Sequence, residues 1–192
     1  MDFEFLSPID DKLLAHNLML PAQVMGRNLR IHTNQEGFPD LKEVKIVMVT
    51  LEPRLRKGEP IHFRFRQRFF QLFSGNWDFI CADLGVLKAG ESTNDTLFAL
   101  QTLTQEMHQR NILTIVVGGE QENTLGLFRG LSSMNTYVNL TSIDARLDFG
   151  ASGVLVSDDS YMSKIITEKP NNLKQFTNLG FQSYYVSQEE LD

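Results

Sequence analysis

Four short apolar runs alternate with stretches of helical spacing, and that alternation limits what the chain can become. Val44–Leu51, Trp77–Leu84, Ile112–Val117 and Tyr137–Ile143 are rich in Val, Ile and aromatic residues, the composition of buried strands. After the first run, Pro60 suits the opening turn of a helix carrying Ile61, Phe63, Phe69, Phe70, Leu72 and Phe73. After the second, Ser92 or Thr93 caps a helix reaching Arg110, with Leu97, Leu100, Leu103 and Met107 as its apolar stripe. Gly118 and Gly119 turn the third run into a short helix through Thr124, Leu125, Leu127 and Phe128, ending near Gly130. Asp158 or Asp159 can cap a later helix through Tyr161, Met162, Ile165 and Ile166, and residues 178–182 read as a fifth, short strand. Gln188 to Asp192 reads as the start of one more helix. Repeated strand–helix alternation predicts an α/β fold with three α/β/α layers and a mainly parallel sheet covered on both faces.

The length, 192 residues, suits one domain. Residues 1–192 are read as a single α/β domain, with residues 1–40 as an N-terminal arm. In that arm a short helix over Ile9–His16 is followed by the breakers Pro21, Gly26, Gly37 and Pro39. An excess of 24 acidic over 18 basic residues leaves a net charge of −6, which argues against a general nucleic-acid binder. Cys81 is the single cysteine, so no internal disulfide can form. It reads as an inert core thiol. The acidic start Met1-Asp-Phe-Glu-Phe5 is not a secretory signal. No window approaches the roughly 18 apolar residues of a membrane-spanning helix. A cytoplasmic protein with neither a nucleic-acid nor a membrane partner is the expectation.

Chemistry concentrates in Thr141-Ser-Ile-Asp144-Ala-Arg146-Leu-Asp148-Phe-Gly150. On an extended chain residues i, i+2 and i+4 share a face, so two carboxylates with a guanidinium between them would converge at a strand's carboxyl end. That is where open α/β sheets place ligands. Asp144 and Asp148 offer hard oxygen ligands to a divalent ion, but Arg146 between them raises the cost of bringing a dication close. The residues leave three readings open: a metal site, its relic, or an internal ion pair, with the ion pair favoured. Gly118-Gly119-Glu120-Gln121 is a tight strand-to-helix turn without the spacing of a phosphate loop. Arg64, Arg66 and Arg68 interleave with phenylalanines and read as the solvated face of an amphipathic helix. His16, His32, His62 and His108 lack metal-ligand spacing.

Val116-Val-Gly118-Gly119-Glu120-Gln121, followed about twenty residues on by Ser142-Ile-Asp144-Ala-Arg146-Leu-Asp148, resembles the ureohydrolase superfamily of arginase, agmatinase and formimidoylglutamase. The lead from Arg56 through Gly58 and Pro60 to Arg64, the Asp83-Leu-Gly85 strand end, and residues 157–180 extend the resemblance over roughly residues 44–185. It implies an arginase-like fold. It also implies two motifs that supply ligands to a manganese pair, a Gly-Gly-Asp-His turn and an Asp-Ala-His-x-Asp strand end. Asp144 and Asp148 match ligand aspartates, and Glu120 matches the aspartate of the turn. Gln121 and Arg146 stand where the family has histidines, and no Asp-x-Asp pair follows residue 150. The resemblance therefore implies a vestigial metal site, with Asp144, Asp148 and weakly Glu120 as remnants and Gly118, Gly119, Gln121 and Arg146 lining the pocket. No catalytic residue is assigned and no cofactor is expected to stay bound. The expectation is an impaired family member acting as a binding or regulatory module, with a small guanidino or amino-acid ligand. The alternative is a metal-dependent hydrolase of linear C–N bonds such as those of formimidoyl-glutamate. The chain reads as the N-terminal part of a longer, incomplete arginase-like domain, with self-association through an unpaired strand edge.

Overall fold

The computed structural model describes residues 3–52, 61–151 and 156–191. They form two compact units, Met1–Gly90 with Met107–Gly119, and Glu91–Glu106 with Glu120–Asp192.

The first unit is built on β3 (Val44–Leu51), the run with the densest β-branched content. Its side chains are buried from Val47 through Leu51. It pairs in parallel with β4 (Ile80–Leu87) on one side and β5 (Leu113–Gly118) on the other. The far edge of β4 is shared by two very short strands. β2 (Arg30–Ile31) runs parallel against Ala82 and Asp83, and β1 (Leu6–Ser7) runs antiparallel against Val86 and Leu87. Gly85, between those two pairings, has φ +86°, and any side chain there would run into Ser7 and Pro8. Two short helices, α1 (Asp11–Leu18) and α2 (Met25–Asn28), link β1 to β2. Asp10 caps α1 by accepting from the Lys12 amide at 2.7 Å.

The helix α3 (Ile61–Phe69) departs from its sequence reading. Arg64 and Arg68 are exposed, but Arg66 is fully buried. Two residues advance a helix by about 200°, so Arg66 cannot share the solvent face of its neighbours. Its guanidinium forks onto Asp83, with Nε and Nη2 each 2.7 Å from a carboxylate oxygen. Thr50 and the Gly85 carbonyl accept further bonds. Asp83 is likewise fully buried. Pro60, read as the helix opener, lies outside the described residues.

The second unit contains its own sheet. β6 (Val138–Ile143) pairs in parallel with β7 (Leu173–Leu179), and among the described residues neither joins the first sheet. Among the described residues the mainly parallel strands expected from the sequence fall into two sheets. β3, β4, β5 and β6 match apolar runs of the sequence, β4 starting three residues later than its run, but which strand neighbours which is long-range information that periodicity does not carry. The face of β6 bearing Val138 and Leu140 packs with Leu97, Leu125, Phe128, Tyr161, Met162 and Ile165 into one core. These come from α4 (Thr93–Gln109), α5 (Thr124–Ser132) and α6 (Tyr161–Thr167). Ser92 and Asp95 form the capping box of α4, the Ser92 amide donating to Asp95 at 2.8 Å and the Asp95 amide to Ser92 at 3.2 Å. α5 meets α4 through two glycines one turn apart. A methyl at Gly126 would lie 2.8 Å from the Leu97 carbonyl oxygen, and one at Gly130 would lie 2.7 Å from that of Gln101. The chain closes with α7 (Gln188–Leu191).

Candidate functional site

The candidate site grows from the end of β6, and its geometry differs from the sequence expectation in one decisive way. Asp144, Arg146 and Asp148 do not share an extended face, because the strand stops at Ile143. The Asp144 carboxylate accepts the Arg146 amide at 3.0 Å, a side-chain turn just past the strand's end. Asp148 then adopts φ +55°. The turn sends Arg146 outward. Its Nη1 lies 3.3 Å from Asp159, and both side chains are more than half exposed. The internal ion pair of Arg146 with Asp144 and Asp148 is therefore corrected to an exposed pair with Asp159. Such a pair contributes on the order of 0–1 kcal/mol.

Asp144 has a different partner. Gln121 follows Glu120 into a 3₁₀ turn at Gln121–Asn123 and donates its Nε2–H to the Asp144 carboxylate. The Glu120 carbonyl accepts from the Asn123 side chain at 2.9 Å, fixing that turn. Nearby, the Glu122 amide donates to Asp158 at 3.1 Å. Gly118 and Gly119 close β5 in the first unit with φ +92° and +79°, conformations that suit glycine.

Asp148 is only 3% exposed, and among the described residues its Oδ2 has no hydrogen-bond partner. Its carboxyl is pushed up to about 6 by burial, then by the like charges of Asp144 and Asp159. Tyr161 lies beside Asp148 and Ser142. Burial, and next the Asp148 charge, push that phenol up to about 12. Tyr161 reads in the sequence as one more apolar position of α6. The only available signal was a hydroxyl on an otherwise aliphatic stripe.

Asp148, Arg146 and Asp159 open onto a cavity of about 490 Å³, whose other side carries Tyr185, Glu189 and Glu190. Glu190 accepts the Phe149 amide at 3.2 Å and the Ser187 amide at 2.9 Å. These bonds, that of Ser187 first, hold its carboxyl below the usual range. A cavity of about 570 Å³ in the first unit, lined by α1, α2 and residues 29–40, contains none of the residues marked by the sequence. Among the described residues no group of three or more His, Cys, Asp and Glu side chains is placed to hold a metal ion. Asp144 accepts from Gln121 and from the Arg146 amide.

This combination of strands, helices and turns defines an α/β protein of the arginase-like fold. No family model and no curated protein matches the sequence. Solved structures do match in three dimensions. A formiminoglutamase from Trypanosoma cruzi with Mn2+ superposes with a TM-score of 0.68 at 16% identity, covering 79% of this chain and 57% of that one. The agmatine ureohydrolase of Thermoplasma volcanium gives a TM-score of 0.63 at 18% identity, covering 95% and 61% of the two chains. The formimidoylglutamase of Bacillus subtilis gives 0.66 at 10% identity, covering 81% and 54%. The chain thus spans less than two thirds of the length of these structures.

Proposed function

We propose that the chain is a ureohydrolase-superfamily protein with a degenerate dinuclear metal site. It is catalytically impaired and serves as a binding or regulatory module whose acidic pocket takes a small guanidino or amino-acid ligand. One observation carries the reading. Gln121 and Arg146, at the two positions where the resemblance places histidine ligands, are engaged by Asp144 and Asp159. A guanidinium has no lone pair to offer a cation, and Gln121 replaces an imidazole nitrogen with an amide whose Nε2–H is directed at Asp144. The acidic residues Asp148, Asp159, Glu189 and Glu190 around the cavity favour a cationic group.

The test is metal content. The purified protein, dialysed against Mn2+, should retain less than one ion per chain by elemental analysis, and the Gln121→His/Arg146→His double variant should bind Mn2+ more tightly. Two ions per unmodified chain would sink the proposal. A metal-dependent hydrolase of linear C–N bonds is the second reading, favoured by the buried, unpartnered Oδ2 of Asp148. Mn2+-stimulated release of urea from a guanidino substrate, or of formamide from formimidoyl-glutamate, would select it.

A further inference from the structure

The cavity beside Asp148 already holds a guanidinium, and it belongs to the chain itself. Among the described residues lining that cavity, Arg146 is the one basic side chain, set against the carboxylates of Asp148, Asp159, Glu189 and Glu190. Its Nη1 lies 3.3 Å from Asp159. Its charge also reaches Asp148 and Glu190 and favours their ionised forms, behind the larger influences on each given above. Asp148 brings to the cavity a buried carboxylate whose Oδ2 has no hydrogen-bond partner among the described residues. The backbone beneath the Arg146–Asp159 pair is fixed. The Arg146 amide donates to Asp144 at 3.0 Å, and its carbonyl accepts from the Asn178 side chain at 2.8 Å. The Asp159 carbonyl accepts the Gly150 amide at 2.8 Å, an approach that leaves no room for a side chain at Gly150. The side chains are held far less firmly. Arg146 is 55% and Asp159 75% exposed, and one long contact joins them. An exposed pair of this kind is weak, and immobilising an arginine side chain costs entropy. The guanidinium can therefore leave Asp159 while the backbone stays in place.

We propose that Arg146 is a tethered competitor for this cavity: it sits among the carboxylates until a ligand's cationic group displaces it. The proposal rests on the reading of the cavity as a pocket for a small cationic ligand. Two cations at contact distance from the same carboxylates repel each other, so a ligand gains the full attraction of Asp148, Asp159 and Glu190 only once Arg146 has swung away. The tether lowers the apparent affinity for a free cation in proportion to the time Arg146 spends in place. Arg146 thereby sets the ligand concentration at which the pocket fills.

Titration with methylguanidinium chloride at constant ionic strength, followed by nuclear magnetic resonance, tests this. Arg146→Gln should bind methylguanidinium about three- to tenfold more tightly than the unmodified chain at low salt. Lys174→Gln, at an exposed position of β7 outside the cavity lining, makes the same change in net charge and should leave the affinity as it was. In the unmodified chain the Arg146 Nε–H resonance, assigned through its backbone, should move as the site fills. That measurement needs no variant, so it decides the matter if Arg146→Gln does not fold. Binding that Arg146→Gln does not tighten, or that Lys174→Gln tightens equally, overturns the competition and leaves the pocket standing. An Arg146 resonance unmoved at saturation does the same. Absence of binding to every one of these chains overturns the pocket and the competition together.

Discussion

Asp148 is a buried acid whose proton the folded state holds more tightly than the unfolded chain does. Its pKa rises from 3.8 to about 6, through burial first and the charges of Asp144 and Asp159 next. The stabilisation from that proton is complete below the unfolded value and is lost as pH rises through the folded one, so the ionised carboxyl is a net cost at neutral pH. Asp148→Asn should raise stability by about 2–3 kcal/mol at about pH 8 and by little at about pH 3. The positive φ also suits asparagine. Urea unfolding at the two pH values measures this, and an equal gain at both would contradict it. Arg66 poses the opposite problem. Arg66→Met would strand Asp83 at 0% exposure without its counter-charge, at a cost of roughly 3–5 kcal/mol. Adding Asp83→Leu should recover much of that loss. A double-mutant cycle by urea unfolding reads the coupling, and additive losses would show that the pair does not act as a unit.

At the scale of elements, the contact of α5 with α4 is set by the absence of side chains. On propensity alone, glycine to alanine inside a helix stabilises by up to about 1 kcal/mol. Here the new methyl at Gly130 would press on the Gln101 carbonyl and on Thr104 Cβ, at 2.7 and 2.6 Å. Neither is the flexible end of a side chain, so the helices must separate or shift. Gly130→Ala should therefore lower stability, by about 1–3 kcal/mol. Thermal unfolding settles the sign, and a raised Tm would mean that the helices move apart at little cost.

Across the whole molecule, local signals were legible and partnerships were not. The bounds of β3 coincide with its apolar run, and α4 begins where Ser92 and Asp95 announce it. Both signals lie within a few residues of the element they define. β7 starts earlier and runs longer than the strand read at residues 178–182, because Leu173-Lys-Gln-Phe-Thr-Asn-Leu179 has weak alternation and is held as a strand by β6. β1 and β2 were missed because two residues become a strand only beside β4. At the candidate site, the resemblance brought Gln121 and Asp144 forward together, and they bond in the structure, but spacing was a poorer guide. It misdirected Arg146, because an aspartate can end a strand by bonding its own downstream amide, and no period records that. The buried fork of Arg66 on Asp83 also bears on inheritance. A drift to lysine at 66, or to asparagine at 83, would pass through a poorly folding ancestor. The two codons are thus bound to a shared fate, changed together in one lineage or left alone in both.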